Sequence, residues 1–253
     1  MALQQKSGER RKSGLFIVEG VRELQHCINA QFAVETIYHC PQLCPALLTM
    51  LPAELQDRVI EVSPAVYEKI AYRGTTEGVL ATVRSRSLTL DDIVPADDHA
   101  PLYIILESVE KPGNLGAVLR TADAAQADAV IVCDPLTDLY NPNLIRSAIG
   151  AVFTVPTVAC TSEECIAWLK AHGVKILTAQ LQDSVLYYDS DMTLPTAIVM
   201  GTEATGLTDQ WRQAADTHIR IPMLGKLDSL NVSVSAAILT FEAVRQRQIS
   251  EKF

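Results

Sequence analysis

Along the first ninety residues, short apolar runs alternate with amphipathic stretches, the pattern expected of strands alternating with helices. Residues 15–18 form one apolar run and predict a strand. Val21, Leu24, Cys27 and Ile28 then share one face of a predicted helix over 21–29. Further strands are predicted over 34–38, 59–62 and 78–83. Between the last two, Ser63-Pro64 marks a helix start, a capping hydroxyl followed by proline at the first helical position. The pattern describes a small α/β layer domain.

Residues 88–101 break it. LTLDDIVPADDHAP holds four aspartates and two prolines without a sustained period, which predicts a linker. Beyond it the apolar strands are continuous rather than alternating, over 102–106, 129–133, 174–178 and 197–200. Continuous apolar strands separated by helices predict a mostly parallel sheet covered by helices on both faces. Thr161-Ser162-Glu163-Glu164 supplies a capping box for one of those helices and Gly173 its stop, and a final helix is predicted over 230–248. The expected division is a first domain over 1–88, a linker over 89–100 and a second domain over 101–253.

Composition narrows the class. At 253 residues, with 48% apolar and 20% charged positions, the chain can bury a core, and disordered or collagenous classes are excluded. No apolar run reaches the ~18 uncharged residues of a membrane helix. MALQQKSGERRKSG is basic but has no apolar segment behind it, so it does not read as a secretory signal, and a cytoplasmic protein is expected. The net charge of −9 argues against a broadly basic nucleic-acid binder, and neither side of residue 100 is basic: 10 cations against 13 acids before it, 11 against 17 after. Positive charge is local, in Lys6, Arg10, Arg11 and Lys12 and in Arg84 and Arg86, which makes these six the candidate phosphate contacts. The six cysteines read as reduced packing residues. His26, Cys27, His39, Cys40 and Cys44 come nearest to a metal pattern, but Cys40 and Cys44 have no second pair at finger-like distance, so no metal is expected.

Three segments carry chemistry. In the first, a strand ends at Leu106, a Pro112-Gly113 turn follows, and Asn114 stands where a helix N-cap belongs, with Gly116 and Ala117 keeping the first turn slim and Arg120 nearly two turns in. In the second, the strand ending at Met200 runs into Gly201-Thr202-Glu203-Ala204-Thr205-Gly206, a glycine-bracketed loop that lets a nucleoside-sized ligand approach the carboxyl end of a parallel strand. It is not the dinucleotide Gly-x-Gly-x-x-Gly fingerprint. The third, Ile221-Pro222-Met223-Leu224-Gly225, leads to a helix opening with Ser229, Asn231, Ser233 and Ser235, more small polar residues than capping requires.

In that order, Asn-Leu-Gly-Ala-x-x-Arg-Thr-Ala-Asp, Gly-x-Glu-x-x-Gly-Leu and Ile-Pro-Met-x-Gly-x-x-x-Ser-Leu-Asn-Val-Ser-x-x-Ala resemble the three motifs of the SPOUT-superfamily, TrmH-type RNA 2′-O-ribose methyltransferases, over residues 102 to about 248. Phe16-Ile17-Val18-Glu19-Gly20 and Glu77-Gly78-Val79-Leu80-Ala81 resemble the ribosomal-protein-like RNA-binding domain of rRNA-modifying members. One departure is visible: relatives often carry serine where Ala148 stands, so Ser147 is given no role. The resemblance implies a C-terminal trefoil knot that binds S-adenosylmethionine, with Met200, Gly201, Ile221, Met223, Leu230 and Asn231 at the cofactor. It implies Asn114, Arg120, Glu203, Asn231 and Ser233 as active-site residues, and a homodimer in which Arg120 serves across the interface. RNA is the implied partner, rRNA favoured over tRNA. A non-catalytic RNA-binding member of the fold would be expected to have lost motif residues, whereas Asn114, Arg120, Glu203 and Asn231 are all present.

Overall fold

A computed structural model describes residues 1–72, 77–202 and 205–250. The chain divides into two compact units, Met1–Arg86 with Asp138–Thr154, and Ser87–Thr137 with Val155–Phe253.

The first unit is built on four strands, β1 (Leu15–Glu19), β2 (Val34–His39), β3 (Val59–Glu61) and β4 (Val79–Arg84), in the order β1-β4-β2-β3. β4 pairs antiparallel with β1 and β2, and β3 adds parallel to β2. The predicted helix occupies Val21–Asn29 as read, and Ser63 caps Pro64–Ile70 by accepting from the Val66 N–H. Tyr67 on that helix is fully buried with Ile17, Cys40 and Leu80 and donates its hydroxyl to the Val79 carbonyl at 3.0 Å.

The segment Asp138–Thr154 was expected in the second domain. Two interactions assign it to the first unit instead. Tyr140 stacks on Phe16 with ring centroids 4.3 Å apart, and Phe153 packs on Phe16 and Phe32. Arg10, buried to 5% exposure, pairs with Asp138 at 2.6 Å and donates to the Leu3 carbonyl. Aromatic pairs are worth roughly 0.5–1.5 kcal/mol beyond their burial, so this nest can recruit a segment distant in sequence.

The second unit is a seven-stranded, all-parallel sheet. Its strands are β5 (Leu102–Glu107), β6 (Ala129–Cys133), β7 (Thr157–Cys160), β8 (Lys175–Ala179), β9 (Val185–Leu186), β10 (Thr196–Met200) and β11 (Thr217–Arg220), in the order β7-β6-β5-β10-β8-β11-β9. β10 lies between β5 and β8, with Ile198 in register with Ile104 and Leu177. One face, carrying Tyr103, Ile105, Ile131, Ile176 and Val199, packs against Cys165 and Leu169 of the helix Ser162–Ala171 and against Trp211. Helices Pro112–Ala124 and Val232–Ser250 pack on each other and on β6 and β10. The predicted α/β class and doubly covered parallel sheet are what the chain forms.

The acidic linker is more ordered than its composition predicts. Leu88 bridges Val158, Thr89 and Asp92 close a capping box around a turn of 3-10 helix over Leu90–Asp92, and Ile93 enters the core. Asp128 then accepts from the backbone N–H groups of Ala96 and Leu102, and the hydrogen bond that the His99 imidazole donates to Asp98 holds that imidazole above its ordinary range. The aspartates of this region thus act as local hydrogen-bond acceptors. Among the described residues, no helix is long and apolar enough to cross a membrane.

Arg10→Ala strips the partner from a largely desolvated Asp138, and such losses cost about 3 kcal/mol. The expected outcome in chemical denaturation is a fall of that size in unfolding free energy, with no change in the salt dependence of RNA affinity. A salt slope that drops by about one unit would instead mark Arg10 as a phosphate contact.

Candidate active site

The carboxyl ends of β8, β10 and β11 lie side by side, and the loops leaving them enclose a cavity of about 370 Å³. Ala179 ends β8 and Gln180 to Gln182 follow it, Met200 ends β10 and Gly201, Thr202 and Thr205 to Leu207 follow it, and Ile221 and Met223 follow β11. The wall is completed by the approach to the last helix, from Asp228 to Leu230. A cavity of this size suits a nucleoside-sized ligand, and its place outside the strand ends is the usual one in open parallel sheets.

Gly201 is required by space. A Cβ there would stand 2.3 Å from the carbonyl carbon and oxygen of Gly206 and 2.6 Å from the Leu207 nitrogen. The loop folds back on itself, closed by a Thr202–Gly206 bridge and by the Thr205 N–H donating to the Thr202 hydroxyl at 3.1 Å. Gly206 turns the chain with φ of 67°, in the left-handed region that favours glycine. Sequence reasoning assigned Gly201 to ligand contact and backbone freedom; the first demand on it is this closure.

Glu107, the last residue of β5, anchors the loop exit. Its carboxylate is 2% exposed and accepts from the Thr208 N–H at 2.9 Å and the Thr208 hydroxyl at 2.7 Å. The Ser162 hydroxyl stands 3.5 Å from it, donates to Asp134 at 2.6 Å and accepts from the Trp211 indole at 2.9 Å. Neither Glu107 nor Thr208 was among the candidates, although an acid ending a continuous apolar strand is a readable signal. Gln180 and Arg220, which also line the cavity, were missed as well; Arg220 donates to the Ser184 carbonyl and fixes the loop after β8.

Of the candidate cofactor residues, Met200, Gly201, Ile221, Met223 and Leu230 line the cavity, and Asn231 follows the last of them. Asn231 precedes the helix Val232–Ser250, and its Oδ1 accepts from the Ser233 N–H at 3.0 Å and the Ser233 hydroxyl at 2.6 Å. Its Nδ2 donates to Asn114 Oδ1 at 3.1 Å, across 117 positions of chain. Asn114, Asn231 and Ser233 are therefore one hydrogen-bonded group. Asn114 is not the N-cap expected: the helix begins at Pro112 with Lys111 as cap, which frees the Asn114 side chain to reach Asn231. Arg120 is exposed on the same helix, six positions on. That is about 120° around the axis and ~9 Å along it, so Arg120 and Asn114 look in different directions. Glu203 lies outside the described residues.

The basic candidates divide. Lys6, Arg11 and Lys12 are exposed, whereas Arg10 is the buried partner of Asp138 and leaves the set. Arg84 is paired with Glu35. Arg86 donates to the Ala30 and Gln31 carbonyls at the end of the helix Val21–Asn29 and lies 4.3 Å from the Phe32 ring centroid, so its guanidinium is held by structure.

Comparison with known proteins agrees with this geometry. Residues 101–241 match the SpoU rRNA Methylase family and residues 1–81 the MRM3-like substrate binding domain. The chain is 35% identical to the 23S rRNA (guanosine-2′-O-)-methyltransferase RlmB of Pseudomonas syringae, covering 82% of this chain and 86% of the relative. It is 30% identical to the 23S rRNA (uridine(2479)-2′-O)-methyltransferase of Streptomyces viridochromogenes, covering 97% and 88%. Among solved structures, the AdoMet-bound rRNA methyltransferase from Sinorhizobium meliloti superposes with a TM-score of 0.87 at 30% identity, covering 96% of this chain and 92% of that one. A TrmH/SpoU tRNA modifying enzyme from A. aeolicus covers 60% of this chain and 78% of its own, with a TM-score of 0.55 at 27% identity.

Gly201→Ala forces the loop open at Gly206. Its expected effect is at least a tenfold loss of S-adenosylmethionine affinity, about 1.4 kcal/mol, read by calorimetry, with RNA affinity retained. Equal losses for both ligands would point to general misfolding.

Proposed function

Since this chain belongs to the SpoU rRNA methylase family, we propose that it methylates a ribose 2′-hydroxyl of large-subunit rRNA, using S-adenosylmethionine. The observation that carries the reading is the cavity at the ends of β8, β10 and β11 with the Asn114–Asn231 pair beside it. The residues present fit the cofactor. The cavity is nucleoside-sized, its strand-end wall is apolar at Met200 and Ile219, and glycine stands where the loop approaches most closely. Bound there, S-adenosylmethionine would supply a methyl group on a sulfonium, from which a neutral thioether is a good leaving group.

The work left to the protein is alignment of a weakly acidic hydroxyl and disposal of its proton. Alignment alone can contribute several kcal/mol. Asn114 and Asn231 present amide donors and acceptors held in fixed orientation, suited to the ribose hydroxyls. Arg120 is a poor proton acceptor but a good fork for an adjacent phosphate and for charge developing on the 2′-oxygen. In this reading the proton leaves to phosphate or water.

Arg120 acts in a homodimer, completing the site of the other copy. Two observations support this: its divergence from Asn114 around the helix, and exposed apolar residues at Leu224, Leu227, Val234 and Phe241. The trefoil knot and a cytoplasmic location belong to the same proposal, on the family likeness and the rRNA substrate. Substrate choice favours rRNA over tRNA because the match to a substrate-binding domain covers residues 1–81. Lys6, Arg11 and Lys12 are the proposed phosphate contacts, and no resident metal is assigned to the transfer.

Mapping 2′-O-methylation in total RNA from a strain lacking this protein tests the reading directly. One large-subunit rRNA position should lose its mark, and a loss confined to tRNA would overturn the substrate assignment. Arg120→Lys should lower single-turnover methylation about 100-fold, the scale of a lost oxyanion donor, with cofactor affinity unchanged. Near-wild-type turnover would overturn the fork. Mixing inactive Arg120→Ala and Asn231→Ala chains should restore activity in mixed dimers, where one complete site forms; no recovery would place Arg120 in its own chain's site. Neutralising Lys6, Arg11 and Lys12 together should flatten the salt dependence of RNA affinity by about two to three units of slope.

A further inference from the structure

Three of the six cysteines meet at a place that the reaction does not use. Cys133 ends β6, Cys160 ends β7, and the two are partners in the parallel register. Cys165 lies in the first turns of the helix Ser162–Ala171 that follows. The three Sγ atoms all lie within 4.8 Å of one another, the one gathering of metal-ligating groups of this kind among the described residues. Chain spacing hides it, because Cys133 and Cys160 are brought together only by strand pairing. The cysteines and histidines that spacing favoured do not form such a group: His39 Nε2 is 2.7 Å from the Cys44 carbonyl, and Cys40 donates to Gln42.

Cys133 and Cys165 are buried in the sheet core, while Cys160 is half-buried and packs against it. Tetrahedral zinc, with Zn–S of about 2.3 Å, sets its sulfurs ~3.8 Å apart, a spread that small rotamer changes reach from this arrangement. Soft thiolates select zinc or copper(I). Asp134 and Glu164 lie close enough to act on Cys160. Against those carboxylates, a divalent ion leaves one net negative charge on three thiolates, and a monovalent ion leaves two. Charge therefore favours zinc.

We propose that Cys133, Cys160 and Cys165 form a zinc site of three thiolates, with a water as fourth ligand. Binding forms three Zn–S bonds and releases the thiol protons to solvent. The site would tie the ends of β6 and β7 to the start of the helix whose Ser162 contacts Asp134 and Glu107. It is independent of the methyl-transfer reading, since neither the cavity nor the asparagine pair takes part.

The test uses the full chain, reduced with a thiol-free reductant, stripped with chelator and titrated with Co²⁺ as a spectroscopic stand-in. One equivalent should produce a sulfur-to-cobalt charge-transfer band with the visible absorption of a tetrahedral site, and one equivalent of Zn²⁺ should bleach it. Cys160→Ser should abolish the band, and Cys44→Ser should retain it. Cys165→Ala is a second variant with the same expected loss, should Cys160→Ser unfold. No band in the wild-type chain, or a band that survives in folded Cys160→Ser, would overturn the site. Copper(I) bound at the same thiols, with zinc unable to displace cobalt, would overturn the choice of metal.

Discussion

A buried carboxylate, Glu107, holds the working end of the sheet together. It ends a strand whose neighbours are both parallel, and its carboxylate is buried at the carboxyl end of the sheet. Burying a carboxylate is costly unless hydrogen bonds replace its water. Thr208 supplies two, and in doing so it holds the exit of the glycine loop against the sheet. The entry of that loop is fixed by β10, the central strand, and its interior by the close approach of Gly201 to Gly206. A nucleoside-sized cavity follows from these three constraints.

The cavity and the asparagine pair depend on different parts of the architecture. The cavity is made by loops from strands adjacent in the sheet but scattered in sequence. The pair is made by the contact of two helices, Pro112–Ala124 and Val232–Ser250, whose N-terminal turns bring Asn114 to Asn231. Arg247, near the other end of the last helix, donates to the Met192, Leu194 and Pro101 carbonyls and so fixes that helix to the segments entering β10 and β5. The orientation of Asn231 is thus set by packing along the whole helix, with Ser233 locking its amide locally.

In the first unit, positive charge is largely spent on structure. Arg10 serves Asp138, Arg86 serves the end of a helix and the face of Phe32, and Arg84 serves Glu35. For a chain of net charge −9, this leaves the exposed N-terminal cations Lys6, Arg11 and Lys12 as the members of the two basic clusters outside these contacts.

Local chemistry determined what was legible in the sequence. The helix Val21–Asn29, the strand Ala129–Cys133 and the capped start at Thr161 follow from periodicity, apolar runs and capping residues, all of which act within a few positions. The continuous apolar strands required a doubly covered parallel sheet, because such strands cannot face water. The second and third motifs marked residues that line the cavity, and the first marked Asn114, the partner of Asn231. Tertiary structure alone decided strand order, and with it which loops become neighbours. It also decided that Asn114 bonds Asn231 rather than capping its own helix, and that Arg10 is buried while Lys12 is not. It drew Asp138–Thr154 to the aromatic nest and brought Cys133 to Cys160. Each of these outcomes is a contact between positions far apart in the chain, set by packing and by the satisfaction of buried polar groups across the whole unit, and no local pattern encodes such a contact.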